Sequence, residues 1–178
     1  MQSEPLDLSI VIVNYNAKAR LRQCLLSIQT TREINYEIIV VDNKSLDGSM
    51  EMVRDEFPDV RLIANQNNRG FSTANNQGAR VSRGKYILLL NNDTEVKPCA
   101  LETMISVMEK KPGVGLLGCR LLNGDGTLQQ SFGKDISFFY DFFRKYVTNL
   151  YLKKKNPLMG KYLAWRHSVE KEVPWVKG

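Results

Sequence analysis

Apolar residues fall along this chain in two alternating rhythms. Continuous runs at 8–13 (LSIVIV), 37–41 (EIIVV) and 86–90 (YILLL), with a shorter one at 60–64, have the length of strands. The three longer runs lack the in–out alternation of a strand with one wet face, so they predict strands buried on both faces. Between the runs the spacing becomes helical. At 17–29, Leu21, Cys24, Leu25 and Ile28 share a face. At 49–57, Met52, Val53 and Phe57 turn inward and Pro58 ends the helix. Residues 72–81 read as a helix rich in Ala, Asn and Gln. Pro98 suits the first position of a helix running to Lys111, ahead of Pro112 and Gly113. A further strand is expected within 114–122.

Strands alternating with helices of this length predict a three-layer α/β/α fold on a mainly parallel sheet. Such sheets bind ligands outside the carboxyl ends of their strands. The segments there are 14–16 (Asn14, Tyr15, Asn16), 42–45 (Asp42, Asn43, Lys44, Ser45), 65–70 (ending Asn68, Arg69, Gly70) and 91–94 (Asn91, Asn92, Asp93, Thr94). Asn and Asp are ordinary turn formers, so one such loop would mean little. Four on one sheet edge make a candidate site.

Composition refines this. The 178 residues carry a net charge of +6, but its distribution is uneven. Residues 1–132 hold 15 basic and 15 acidic side chains; residues 133–178 hold 10 and 4. The chain therefore divides into a neutral α/β domain at 1–132 and a basic, aromatic-rich segment at 133–178. A neutral body speaks against nucleic acid as partner and directs attention to the tail. At 137–155, Phe138, Phe139, Phe142, Phe143, Tyr146, Val147 and Leu150 recur at helical spacing before three lysines. That stripe reads either as a helix covering the sheet's edge or as a peripheral contact with the inner face of a membrane. If left uncovered, it would favour homo-oligomers. No apolar run is long enough to span a bilayer, and residues 1–7 do not resemble a secretory signal. The three cysteines, Cys24, Cys99 and Cys119, are widely spaced and His167 is the only histidine. This excludes a zinc cluster and predicts small buried thiols in a reducing, cytoplasmic setting.

Several chemistries are absent by motif. No GxGxxG follows the first strand, no GxxxxGK[ST] exists, and no Ser or Cys has an identifiable base. Asp42 directly follows a strand, where its carboxylate would accept from a nucleobase N–H or ribose hydroxyls, or else cap the next turn with Asn43 and Ser45. Asp93 would hold a divalent cation that bridges it to a diphosphate, or else cap the next helix with Thr94. Arg69 would reach a phosphate or remain solvated. Gly70 permits close backbone approach at a helix N-terminus. Asn75 and Asn76 lie one turn into that helix, although asparagine is a poor helix former.

Together the segments LSIVIVNYNA (8–17), EIIVVDNKSLDGS (37–49), NNRGFSTANNQGA (67–79), YILLLNNDTEV (86–96) and GVGLLGCRLLNGDGTLQ (113–129) resemble the family 2 glycosyltransferases, which have the GT-A fold, and among them the rhamnosyltransferase-like branch. The resemblance covers most of 8–129. It implies an inverting enzyme that moves a sugar from a nucleotide-diphospho-sugar, a UDP- or dTDP-sugar, to a glycan or lipid-linked acceptor with Mg2+ or Mn2+. Tyr15 takes the position that packs on the nucleobase, and Asp42 that of the base- or ribose-binding carboxylate. Asn91-Asn92-Asp93 aligns with the DxD motif, with Asn91 at its first acidic position, so that Asp93 is the motif's one charged metal ligand.

Trp175, in Trp175-Val176-Lys177-Gly178, resembles the acceptor-binding strand of the family. The Glu-Asp motif that supplies the catalytic base is expected beyond Gly178. The chain is accordingly expected to be an incomplete enzyme that binds donor and transfers sugar poorly. Two other readings are a non-catalytic nucleotide-binding module working with another chain, and a sugar nucleotidyltransferase.

Overall fold

A computed structural model of the chain describes residues 5–129, 131–133, 161, 175 and 176. The stripe at 137–155, His167 and the lysine run lie outside the described residues. The chain forms two compact units, Met1–Gly113 and Val114–Gly178.

The first unit alternates β1 (Leu8–Asn14), α1 (Lys18–Ile28), β2 (Tyr36–Asp42), α2 (Ser49–Glu56), β3 (Arg61–Ala64), α3 (Phe71–Val81), β4 (Tyr86–Asn91) and α4 (Ala100–Lys110). The strands make one parallel sheet in the order β3-β2-β1-β4. The chain steps outward from β1 through β2 to β3 and then returns to pair β4 on the other flank of β1. The topological switch point therefore lies between β1 and β4.

Every residue of β1 is buried, as its unbroken apolar run predicts for a central strand. Its alternate side chains feed two cores. Leu8, Ile10 and Ile12 pack with Leu21, Leu25 and Ile28 of α1, Met52 and Val53 of α2, and Leu101 of α4. Val11 and Val13 pack with Ile39, Val41 and Ala74 of α3. This is the expected three-layer α/β/α arrangement. α3 lies very close to the sheet because position 78 is glycine: a Cβ there would stand 2.3 Å from Val11 Cγ1.

Four expectations are corrected. β4 is not buried on both faces. It is the sheet's edge, its pattern alternates, and Ile87 and Leu89 are about half exposed. Its register with β1 puts them on the α3 face, where α3 covers β1 and β2 but leaves β4 open. Pro98 does not begin a helix. Cys99 intervenes at the cap with φ 60, and α4 starts at Ala100. The strand expected within 114–122 is only Leu121–Leu122, and it belongs to the second unit. It pairs antiparallel with Leu128–Gln129 across a turn closed by Asn123 and Thr127. Finally, only Cys24 is buried; Cys99 and Cys119 are exposed.

In the second unit Phe132–Gly133 pairs antiparallel with Trp175–Val176, Gly133 opposite Trp175. Among the described residues no helix is long and apolar enough to cross a membrane.

Candidate functional site at the carboxyl edge of the sheet

Asn14 ends β1 and Asp42 ends β2, and the parallel register sets them side by side. Both are enclosed, at 0% and 1% exposure. Asn14 Nδ2 donates to Asp42 Oδ2 (2.9 Å) and to Ser45 Oγ (3.1 Å). Asp42 Oδ1 accepts from the Ser45 backbone N–H at 2.7 Å and closes the turn after β2. The turn-capping chemistry anticipated for Asp42, with Ser45 as helper, is thus present. Ser45 Oγ also accepts from the Asn16 N–H (2.9 Å), and Asn16 Oδ1 accepts from the Leu46 N–H (2.8 Å). Asn16 adopts φ 48, a left-handed conformation that asparagine tolerates.

The same network reaches β4 and α3. Asn92 Nδ2 donates to Asn14 Oδ1 at 2.9 Å. Asn43, also buried, donates to the Gly70 carbonyl (3.3 Å) and accepts from Asn65 Nδ2 (3.0 Å) and the Arg69 N–H (3.5 Å). Asn65 and Gln77 exchange amide hydrogen bonds in both directions. Asn68 Oδ1 accepts from the Gly70 N–H. The four polar loops read from the sequence are therefore one hydrogen-bonded assembly.

Around it stand the exposed groups. Tyr15 is 52% exposed, and Asn16, Asn68, Arg69, Gly70 and Asp93 are also at the surface. Gly70 caps α3 at φ 79, ψ 163, a conformation essentially confined to glycine. No side chain caps α3, and its first-turn residues Phe71, Ser72 and Thr73 are exposed. Its N–H groups and the positive end of its dipole face water. One turn in, Asn75 is 6% exposed, and its Oδ1 has no hydrogen-bond partner among the described residues. Gly78 lies over β1 and Gln77 bonds Asn65 on the β3 side; by helical spacing Asn75 lies on the opposite flank of Gly78.

The loop bearing Asp93 is held from beneath by α1. Cys24 Sγ donates to the Asn91 carbonyl (3.7 Å), and Ser27 Oγ accepts from the Val96 N–H (2.9 Å). Burial, reinforced by the negative charge of Asp93, pushes the Cys24 thiol up to about 12, so it stays protonated and keeps its donor. Asp93 itself is not a helix cap: α4 has no side-chain cap at its N-terminus. Asp93 is exposed, with no hydrogen bond or ion pair among the described residues.

Three features escaped the sequence reading. Cys24 reads from the sequence as helix packing and Ser27 not at all, yet their position one turn apart makes a polar clamp. Asp47 joins two helix ends, with Oδ2 accepting from the Lys18 N–H of α1 and Oδ1 from the Ser49 N–H of α2. Burial opposes its charge, but bonds from Ser49 and Lys18 hold its carboxyl below the usual range. Leu46 (86% exposed), in the loop after β2, and Phe71 (57%), at the start of α3, add apolar surface.

Asp93 is also the test of a metal. Among the described residues no three His, Cys, Asp or Glu side chains cluster. What exists is one free, hard carboxylate beside two asparagine amides. That set suits Mg2+ or Mn2+, ions commonly held by one or two carboxylates with phosphate oxygens and water completing the shell.

The family model for glycosyl transferase family 2 matches residues 9–173. An uncharacterized glycosyltransferase of Escherichia coli, YibD, is 36% identical over 110 residues, which is 60% of this chain and 32% of that protein. The succinoglycan biosynthesis protein ExoO of Rhizobium meliloti is 35% identical over 101 residues, 56% of this chain and 29% of its own length. The chain thus spans about a third of each of these relatives. Among solved structures, a mannosyltransferase of Pyrobaculum calidifontis in complex with GDP-Man and Mn2+ superposes with a TM-score of 0.56 at 22% identity, over 68% of this chain and 37% of that one. TarS 1-349 of S. aureus in complex with UDP-GlcNAc gives 0.55 at 15% identity, over 71% and 39%. These likenesses establish the GT-A-type fold, and the family match, spanning nearly the whole chain, establishes the lineage: the chain belongs to glycosyl transferase family 2.

Proposed function

We propose that the first unit is the donor-binding part of an inverting glycosyltransferase that moves a sugar from a nucleotide-diphospho-sugar to a glycan or lipid-linked acceptor. The observation that carries this is the state of Asp93. Its neighbours Asn14, Asp42, Asn43 and Ser45 are buried and bonded to the protein, whereas Asp93 is exposed and unbonded beside the switch point.

In this reading Tyr15 offers its exposed ring to the nucleobase. Arg69, Gly70 and the uncapped start of α3 take the diphosphate, where backbone N–H groups and a guanidinium favour negative charge. Asn75 Oδ1 accepts from a donor hydroxyl, which would remove the cost of about 1–3 kcal/mol of leaving a buried acceptor unpaired. Asp93 holds Mg2+ or Mn2+, while Asn91 binds the donor rather than the ion. A cation there would stabilise negative charge on the departing diphosphate. Asp42 and Asn43 have little surface to offer and shape the pocket wall. Trp175 belongs to the acceptor side. The liganded neighbours, one with GDP-Man and Mn2+ and one with UDP-GlcNAc, support the donor class.

The decisive measurement is calorimetry of UDP-, dTDP- and GDP-sugars with and without Mn2+. Binding of at least one, weakened at least tenfold by Asp93→Ala and by chelation, is the expected result, tenfold corresponding to about 1.4 kcal/mol. No binding of any of the three, or an Asp93→Ala variant that binds unchanged, overturns the proposal.

A further inference from the structure

We infer that Asn14 is a positioning residue: from behind the pocket wall it ties the loop carrying Asp93 to the loop after β2. This deepens the donor-site reading and rests on it. Asn14 is fully enclosed, so it acts through its partners and not by touching a ligand.

A primary amide has two N–H protons and one carbonyl oxygen. In Asn14 all three functions are used. One proton goes to Asp42 Oδ2, the other to Ser45 Oγ, and the oxygen receives Asn92 Nδ2. Aspartate at this position would have no proton to give. Leucine would have neither donor nor acceptor, and serine would be too short to reach three partners.

Topology gives the amide its importance. β2 and β4 are not neighbours, because β1 lies between them. Among the described residues, the side-chain hydrogen bonds linking the loop after β4 to the loop after β2 pass through Asn14. Asp93 is the residue next to Asn92. α1 holds the same loop at Asn91 and Val96, on either side of Asp93. A cation gripped by a single carboxylate has little tolerance for a displaced loop. Losing an outer contact that orients a metal ligand costs on the order of 10–100-fold in affinity, and Asn14 would orient Asp93 through its neighbour Asn92.

The test uses substitutions for which charge and position predict opposite results. Asn92→Asp adds a second carboxylate beside Asp93, which by charge alone would tighten cation binding. By position it should loosen it, because the substituted carboxylate would set an oxygen against Asn14 Oδ1, and the protons of Asn14 are committed elsewhere. Mn2+-dependent UDP, dTDP and GDP binding is measured by calorimetry for the unmodified chain, Asn92→Asp, Asn14→Ser, Asn92→Ala and the Asn14→Ser/Asn92→Ala pair. Hydrogen exchange of residues 91–96 is followed in the ligand-free chain.

Expected are a roughly tenfold weakening in each single variant, little further loss in the pair, and faster exchange of 91–96 without ligand. Asn14→Ser leaves Asn92 and Asp93 intact, so its loss must be transmitted. If Asn14→Ser does not fold, Asn92→Asp and Asn92→Ala still decide. Tighter binding by Asn92→Asp, or unchanged affinity and exchange in Asn92→Ala, overturns the positioning role while the donor reading stands on the unmodified chain. If the unmodified chain binds none of the three nucleotides with Mn2+, the donor reading falls and the positioning role falls with it.

Discussion

Single residues at this site divide by burial into those that hold and those that are free to meet a ligand. Cys24 holds: its thiol, pushed up to about 12, is buried against the loop it supports. A thiol-reactive dye applied to the native chain should therefore label Cys99 readily, Cys119 more slowly because partial burial pushes its thiol up, and Cys24 only on unfolding. Mass mapping of the labelled peptides checks this; native labelling of Cys24 would mean that the clamp under Asn91 opens. Gly70 is set by backbone geometry alone, since nothing lies within 4 Å of a Cβ built there. Gly70→Ala should cost about 1–3 kcal/mol through strain at φ 79, read by urea denaturation. A smaller loss would mean that the α3 cap relaxes freely. The candidate residues themselves were legible in the sequence because polar residues crowded the ends of apolar runs. That Asn14 and Asp42 are enclosed was not, because burial depends on which loops fold over them.

At the scale of elements, every regular strand and helix of the first unit was written in the periodicity, but the rank of β4 was not. A run of five apolar residues looks the same at the centre of a sheet as at an edge awaiting cover. The start of α4 was misplaced for a local reason: Pro98 is compatible with a first helical turn, but Cys99 takes a left-handed φ and delays it. The α3–β1 contact was not legible either. Gly78→Ala should destabilise the chain by about 1–3 kcal/mol through overpacking against Val11. With Val11→Ala added, the combined loss should be smaller than the sum of the two single losses. Purely additive losses in the denaturation midpoint would place the conflict elsewhere.

Across the first unit, carboxylates at both edges of the sheet tie elements together. At the amino edge Glu37 accepts from Ser9 Oγ and from the side chain and backbone of Arg83. Burial opposes its charge, but those bonds outweigh it and hold the carboxyl below 4.5. Its contribution is thus fully present above about 4.5, the unfolded value, and is lost as pH falls through the lower folded value. Asp47, at the carboxyl edge, behaves the same way from its unfolded value of 3.8. Glu37→Gln should lower Tm at neutral pH and shrink the drop in Tm on acidification. Thermal melts over an acid series check this, and an unchanged acid limb would exclude Glu37 as a contributor.

The sequence by itself determined the α/β alternation, the sheet edge on which polar loops gather, and the family, since these are local properties of period, turn chemistry and motif. Only the tertiary structure decided which of those polar groups remain free. A side chain's hydrogen bonds depend on partners dozens of residues away: Asn14 meets Asp42 and Asn92 across neighbouring strands, while Asp93, in the same assembly, is left with none.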